Sequence, residues 1–158
     1  SAIEAFKSGL NKEYEVEIIQ PETLNIGFCK GCGACQCYKG CVDQDDTNPT
    51  IDKLVHADMI VFATPVYWWG MSAQLKMIID KCYSKGLQLK NKKVGLIVIG
   101  GSPVDSIQYE LICKQFDCMA NYLSWDLAFK KCYYATQRED LKKDKLALKE
   151  LEECGKEV

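Results

Sequence analysis

The segment CKGCGACQCYKGC, residues 29–41, holds five of the chain's ten cysteines. Cys29, Cys32, Cys35 and Cys41 follow the spacing C-x2-C-x2-C-x5-C. Two-residue gaps let successive thiolates converge on one centre, and the small residues Gly31, Gly33 and Ala34 let backbone wrap closely around it. Four soft thiolates are what an iron–sulfur cluster requires. Zinc accepts four thiolates as well, although structural zinc usually takes two separated pairs. Free thiols or a redox pair form the third reading. Cys37 is a spare that replaces Cys41 only if the loop folds differently.

Two other stretches have the composition of ligand loops. TPVYWWGMS (64–72) places Pro65 and Gly70 around three adjacent aromatics, which cannot all point inward. GGSPVDS (100–106) pairs two glycines, whose missing side chains permit close approach of a ligand to backbone. Its bland reading is a strand-to-helix turn with Ser102 as the cap. The remaining candidates are weaker. His56, the single histidine, reads as structural, and no Cys–His dyad is visible. DQDD (43–46) lacks the glycine and final glutamate of a calcium loop and reads as loop and cap chemistry. LKKDKLALKELEE (141–153) is a solvated helix face of opposite charges. Cys82, Cys113, Cys118, Cys132 and Cys154 are scattered and read as small hydrophobes.

These loops need elements to position them, and strands alternate with helices along the chain. EYEVEIIQ (13–20) alternates polar and apolar residues as a half-buried strand does. DMIVFAT (58–64) and KVGLIVIGG (93–101) are continuous apolar runs ending in turn residues, which predicts central parallel strands buried on both faces. SWDLAFKKCYYA (124–135) gives a last strand. One-face spacing of Ile3, Phe6 and Leu10 opens the chain on a helix. Leu75, Ile78, Ile79 and Cys82 mark a second, and Ile112, Phe116, Met119 and Leu123 a third within about 104–123. A short helix follows Pro49 and ends near His56. A charged helix over about 138–156 carries Leu141, Leu148 and Leu151 on one side. The fold class is therefore α/β, a doubly wound parallel sheet with helices on both faces. Ligands in such sheets bind outside the carboxyl ends of the strands, where 64–72 and 100–106 fall. The cysteine loop follows the first visible strand and is expected to reach the same edge.

Composition agrees with this class. The 158 residues fit a single domain, 1–158, with the cysteine-rich loop at about 29–41. Apolar residues make up 47% and charged residues 27%, which leaves enough apolar side chain for a core. A net charge of -2 without a basic block excludes a nucleic-acid footprint. No apolar run reaches membrane-span length and no signal-peptide pattern opens the chain, so the expected compartment is the cytoplasm.

In this order, CKGCGAC...C, ADMIVFATPVYWWGMSAQLKMIIDK and VGLIVIGGSP resemble the flavodoxin-like NAD(P)H-dependent FMN reductases, and specifically the iron–sulfur flavoproteins. The resemblance covers nearly the whole chain. It implies FMN at the strand ends and a [4Fe–4S] cluster on Cys29, Cys32, Cys35 and Cys41. It further implies flavin contacts at Thr64, Pro65, Val66, Tyr67 and Trp68, and at Gly100, Gly101 and Ser102, while Trp69 is assigned to a subunit interface. The implied function is electron transfer between NAD(P)H or a ferredoxin-like carrier and a small-molecule acceptor, by a homodimer or higher homo-oligomer. No side chain is required as a catalytic acid or base. That family opens on a hydrophobic strand and a GSPR...GNT-like loop that wraps the FMN phosphate. Ser1 already stands at the first helix, so a central strand and that loop are expected upstream of Ser1, and no phosphate site is assigned. A cluster-free FMN or quinone reductase, and a non-enzymatic metal- or thiol-binding domain on the same scaffold, are the alternatives.

Overall fold

A computed structural model describes residues 2–137 and 139–158. The chain order is α1 (Ala2–Gly9), α2 (Thr47–His56), β1 (Met59–Tyr67), β2 (Gly70–Met71), α3 (Ala73–Cys82), β3 (Lys93–Gly100), α4 (Ile107–Leu123), β4 (Asp126–Tyr134), α5 (Asp140–Lys143) and α6 (Lys145–Lys156), with 3-10 turns at Pro21–Thr23 and Tyr83–Leu89. The sheet order is β2-β1-β3-β4. β1, β3 and β4 are parallel, with Met59 opposite Lys93 and Val98 opposite Cys132, and only β2 is antiparallel.

The period-2 geometry of the strands sorts their side chains onto two cores. Ile60, Phe62, Val94, Leu96 and Val98 pack with Ile51 and Leu54 of α2, Leu75 and Ile78 of α3, and Ile112 and Phe116 of α4. Val61, Ala63, Ile97, Ile99 and Tyr133 turn the other way, onto Phe6 of α1 and Leu151 of α6. Helices therefore cover both faces, and β3 is buried almost continuously from Val94 to Val98. A bulge in β4 keeps this sorting intact. Val94 faces Leu127 and Gly95 faces Phe129, so one extra residue sends Leu127 to the first core and Phe129 to the second.

Helix ends follow from local chemistry. The Ser72 hydroxyl accepts the Leu75 amide at 3.3 Å and starts α3. Pro49 sits in the first turn of α2, where a missing amide hydrogen is tolerated. The stretch expected as one helix over about 138–156 is divided, because the Asp144 carboxylate accepts the Leu146 and Ala147 amides at 3.1 and 3.0 Å. Those bonds start α6 afresh.

The expected strand at 13–20 is not one. Residues 15–20 have no regular secondary structure and join no ladder among the described residues. Ile19 packs against the first core, but of the alternating apolar residues Tyr14 and Ile18 are exposed and Val16 is half-buried, so the alternation fixes neither a face nor a pairing here. A ladder also needs an adjacent backbone. β1 meets β3 on one side, and on the other only β2, at Val66 and Tyr67.

Candidate functional site

The cysteine loop is shaped by left-handed backbone. Gly31, Gly33, Gln36, Cys37 and Gly40 all have φ between 52° and 88°. Glycine bears that conformation without cost, so Gly31 and Gly33 let the chain curl between Cys29 and Cys35. Beyond them a turn closes as the Lys39 amide donates to the Cys35 carbonyl at 2.8 Å. Two acidic residues tie the loop's ends together. Asp46 accepts the Asn25 amide and Asp45 accepts the Gly27 and Thr47 amides, all within 2.9 Å. Burial pushes the Asp45 pKa up, but the bonds from Gly27 and Thr47 outweigh it and hold the carboxyl below its ordinary value. The 43–46 segment thus does the loop and cap work its composition implied.

Cys29, Cys32, Cys35 and Cys41 all line one cavity of about 540 Å³, together with Asp43 and Lys81. Cys37 is not part of that lining. Its carbonyl accepts the Leu87 amide at 3.2 Å. Asn48 fixes Cys41 from both sides, accepting its amide and donating to its carbonyl at 2.8 Å each. Among the described residues no three Cys, His, Asp or Glu side chains converge tightly enough to ligate a single metal ion. The four thiols surround a space rather than a point.

Lys81, only 2% exposed, brings a buried ammonium to this cavity. Its Nζ donates to Asp43 Oδ2 at 2.8 Å and to Cys41 Sγ at 3.4 Å. Burial pulls its pKa down, yet the bonds to Asp43 and Cys41 outweigh that and hold it above its ordinary value. The bond from Lys81, with a second from Lys30, holds Asp43 low in turn.

The second group of candidates sits at the carboxyl ends of β1 and β3. β1 runs past Thr64 to Tyr67, further than its sequence suggests, and turns back into β2 through Trp68 and Trp69 alone. Thr64 is buried, and its hydroxyl accepts the Ser72 amide at 2.9 Å and donates to the Pro65 carbonyl at 2.8 Å. Its side chain positions the hairpin and keeps one acceptor lone pair free of these two bonds. Pro65, Tyr67 and Trp68 are exposed, Trp68 at 91%. The Trp68 and Trp69 rings meet edge to face at 5.4 Å.

The β1 and β3 ends touch each other. A side chain at Gly100 would come within 2.8 Å of Val66 Cγ2 and 2.9 Å of the Tyr109 hydroxyl, so this position must be glycine for close packing. Tyr109 donates to the Ser102 carbonyl at 2.8 Å and to the Tyr133 carbonyl at 3.2 Å, which anchors the 100–102 loop from beneath. Gly101 stays exposed and Ser102 half-exposed. Ser102 does not cap α4, which begins at Ile107 after Ser106.

The two groups do not share a cavity. Ser72, bonded to Thr64, stands at the start of α3, while Lys81, bonded to Cys41, stands at its end. The nine residue steps from Ser72 to Lys81 separate them by about 14 Å along the helix. The expectation that the cysteine loop reaches the strand-end edge is thereby corrected within one copy of the chain. Lys81, Asn48 and Tyr109 are the residues that sequence reading missed. Lys81 is the odd charge in the last turn of an apolar stripe, which is the one signal it gave. His56, whose Nδ1 lies 2.7 Å from the Asp52 carbonyl, is a helix-end residue far from either group's chemistry.

The family model for NADPH-dependent FMN reductase matches residues 1–114. Curated relatives named iron-sulfur flavoprotein include one from Methanocaldococcus jannaschii, 35% identical over 101 residues, which are 63% of this chain and 52% of that protein. Another, from Methanosarcina thermophila, is 33% identical over 62% of this chain and 53% of its own length. The chain spans about half the length of the curated relatives it matches. Among solved structures, azoreductase AzrA aligns with a TM-score of 0.74 at 14% identity, covering 99% of this chain and 88% of that one. A flavone reductase aligns with a TM-score of 0.71 at 19% identity, covering 98% and 54%. At such identities the likeness is one of fold, and that fold is flavodoxin-like.

Proposed function

Because the chain belongs to the NADPH-dependent FMN reductase family, we propose that it is an FMN-dependent oxidoreductase carrying a [4Fe–4S] cluster, which links a two-electron partner to a one-electron carrier. The observation that carries this reading is the sorting of the loop thiols. Four cysteines at cluster spacing line one cavity, and the fifth, Cys37, does not. A cluster of irons and sulfides is bulkier than one ion, which suits thiols that ring a space. Lys81 offsets the negative charge of four thiolates there, and Asn48 holds Cys41 in place. The relatives' shared name, iron-sulfur flavoprotein, agrees with the same assignment.

FMN is assigned to the carboxyl ends of β1 and β3, with residues 1–158 acting as one unit. The backbone at Thr64, Pro65 and Val66 offers hydrogen-bonding groups, Tyr67 and Trp68 offer flat apolar faces, and Gly100, Gly101 and Ser102 let a planar ring lie against the main chain. Thr64 also holds the hairpin through its hydroxyl. When bound, flavin supplies both one- and two-electron chemistry and a cluster supplies one-electron chemistry. The protein's residues orient these groups and exclude water. NAD(P)H or a ferredoxin-like carrier is the proposed donor, with a small molecule as acceptor. Trp69, 54% exposed beside Trp68, is assigned to the interface of a homodimer or higher homo-oligomer. Among the described residues no helix is long and apolar enough to cross a membrane, which agrees with a cytoplasmic setting.

The test is anaerobic reconstitution with FMN, iron and sulfide, followed by assay of all three. Wild-type protein takes up each. Cys35→Ser loses iron and sulfide together and keeps FMN, because a hard hydroxyl replaces a soft thiolate poorly. Cys37→Ser keeps everything. Uptake of FMN with neither iron nor sulfide replaces this reading by a cluster-free NAD(P)H-dependent FMN or quinone reductase. Uptake of metal without FMN replaces it by a non-enzymatic thiol domain.

A further inference from the structure

Away from both groups, Cys113 of α4 and Cys132 of β4 face each other with their sulfur atoms 3.9 Å apart. Neither belongs to the cysteine loop, and both are free thiols and half-buried. β4 is the outer strand of the sheet, on the edge remote from β2. A disulfide sulfur pair is about 2.05 Å apart, so the bond forms once the two sulfurs approach by about 2 Å. We propose that Cys113 and Cys132 form a redox-active dithiol site that a peroxide closes to a disulfide and a small dithiol reopens.

The chemical asymmetry of the pair suits it to this. The hydrogen bond from the Cys132 thiol, opposed by burial and aided by the Lys130 ammonium, brings Cys113 down to about 7. The same hydrogen bond, with burial, pushes Cys132 far up. Lys130 is itself held nearby by Asp117 of α4, at 2.5 Å. Cys113 is thus the attacking thiolate and Cys132 the resolving thiol. The Cys113 sulfur attacks one peroxide oxygen, the O–O bond breaks, and a Cys113 sulfenic acid forms as hydroxide leaves and is protonated to water. Cys132 then gives up its proton and attacks the Cys113 sulfur, forming the S–S bond and expelling a second hydroxide, which that proton converts to water. In total, two thiols and hydrogen peroxide become one disulfide and two waters. Reduction by a dithiol runs through exchange and returns both thiols.

The location gives the cross-link a point of action. Tyr109 lies one helical turn before Cys113, and Tyr133 directly follows Cys132. Those two residues are joined by the Tyr109 hydroxyl, which also holds the Ser102 carbonyl. A bond between α4 and β4 therefore forms next to the anchor of the 100–102 loop. A transient, redox-sensing disulfide is also the kind that reducing compartments permit.

The experiment is peptide mapping of the whole chain after brief hydrogen peroxide treatment, alkylation and tryptic digestion. Lys114, Lys130 and Lys131 place Cys113, Cys118 and Cys132 on separate peptides. The expected result is one species joining the Cys113 and Cys132 peptides, formed about tenfold faster than Cys118 is oxidised and lost after dithiothreitol. In Cys132→Ser, Cys113 is expected to stop at sulfenic acid and be trapped by dimedone, whereas wild-type Cys113 is not. Recovery of wild-type Cys113 and Cys132 on separate alkylated peptides while Cys118 is consumed overturns the proposal. So does sulfinic acid at wild-type Cys113 in place of the cross-link. The wild-type map decides alone should Cys132→Ser fail to fold.

Discussion

Lys81 and Asp43 illustrate what a single residue contributes to the loop. The lysine is 2% exposed and its carboxylate partner 24%, and the two stand 38 positions apart in the chain. A buried charge that loses its partner costs far more than the pair is worth when removed cleanly. Asp43→Asn strands the Lys81 ammonium in the interior, whereas Lys81→Met leaves Asp43 with Lys30 at 3.2 Å. The urea midpoint is therefore expected to fall further in Asp43→Asn than in Lys81→Met, and the reverse order would sink this account. The pH dependence carries a definite sign. The Lys81 pKa lies above its ordinary 10.5 in the folded chain, so its contribution is complete below 10.5 and is lost as pH rises through the higher folded value. The Asp43 pKa lies below its ordinary 3.8, so its contribution is complete above 3.8 and is lost as pH falls through the lower folded value. The stability difference between wild type and Lys81→Met is expected to be flat between those limits and to shrink outside them. None of this was legible in the sequence. Cysteine spacing announced the four loop thiols because a local repeat carries that information, but a helical lysine ordinarily signals a solvated face. Its burial depends on a contact with a remote loop.

At the scale of elements, the hairpin after β1 shows why boundaries were harder to read than element types. The apolar run stopped at Thr64, and proline with three aromatics looked like loop. In fact Thr64, Pro65, Val66 and Tyr67 continue the strand, and the turn is the two residues Trp68 and Trp69. Their φ values are 49° and 62°, the left-handed conformation that a tight two-residue turn requires at both positions and that Asn-Gly fills most easily. Bulky side chains there cost roughly 1–2 kcal/mol each. The edge-to-face contact between the rings returns about 0.5–1.5 kcal/mol. Replacing Trp68-Trp69 with Asn-Gly is thus expected to raise unfolding free energy by about 1–2 kcal/mol. On the proposed function the same replacement weakens FMN binding, because Trp68 is the exposed face assigned to the ring. Denaturant unfolding and FMN titration of one variant separate the two effects. A loss of stability would instead mean that the tryptophans pack as core. The failed strand at 13–20 has the complementary lesson: without a neighbouring backbone to pair with, alternation fixed neither the strand nor its faces, since Tyr14 and Ile18 are exposed and Ile19 is the residue that packs.

Over the whole molecule the sheet acts as a partition, and this was the most legible feature of all. Continuous burial of KVGLIVIGG announced a strand covered on both sides, and adjacent residues of β3 do go to opposite cores. Leu96 joins the cluster under α2, α3 and α4, while Ile97 joins the one under α1 and α6. The bulge in β4 preserves the partition where a plain register would have broken it. Energetic independence of the two cores follows, since side chains on opposite faces share neither contacts nor cavity. Ile112 and Ile97 are both fully buried, one in each cluster. Ile112→Val and Ile97→Val are each expected to cost about 0.5–1.5 kcal/mol. Their double variant should lose the sum to within about 0.5 kcal/mol. Phe62 and Phe116 provide the contrast, because their rings lie 5.2 Å apart in one cluster. Truncating either to leucine loosens the site of the other, so that cycle should show a coupling of about 0.5–3 kcal/mol. Denaturant midpoints of the six single and double variants measure both cycles. Equal coupling in the two would show that strain crosses the sheet, and the two cores would then have to be treated as one.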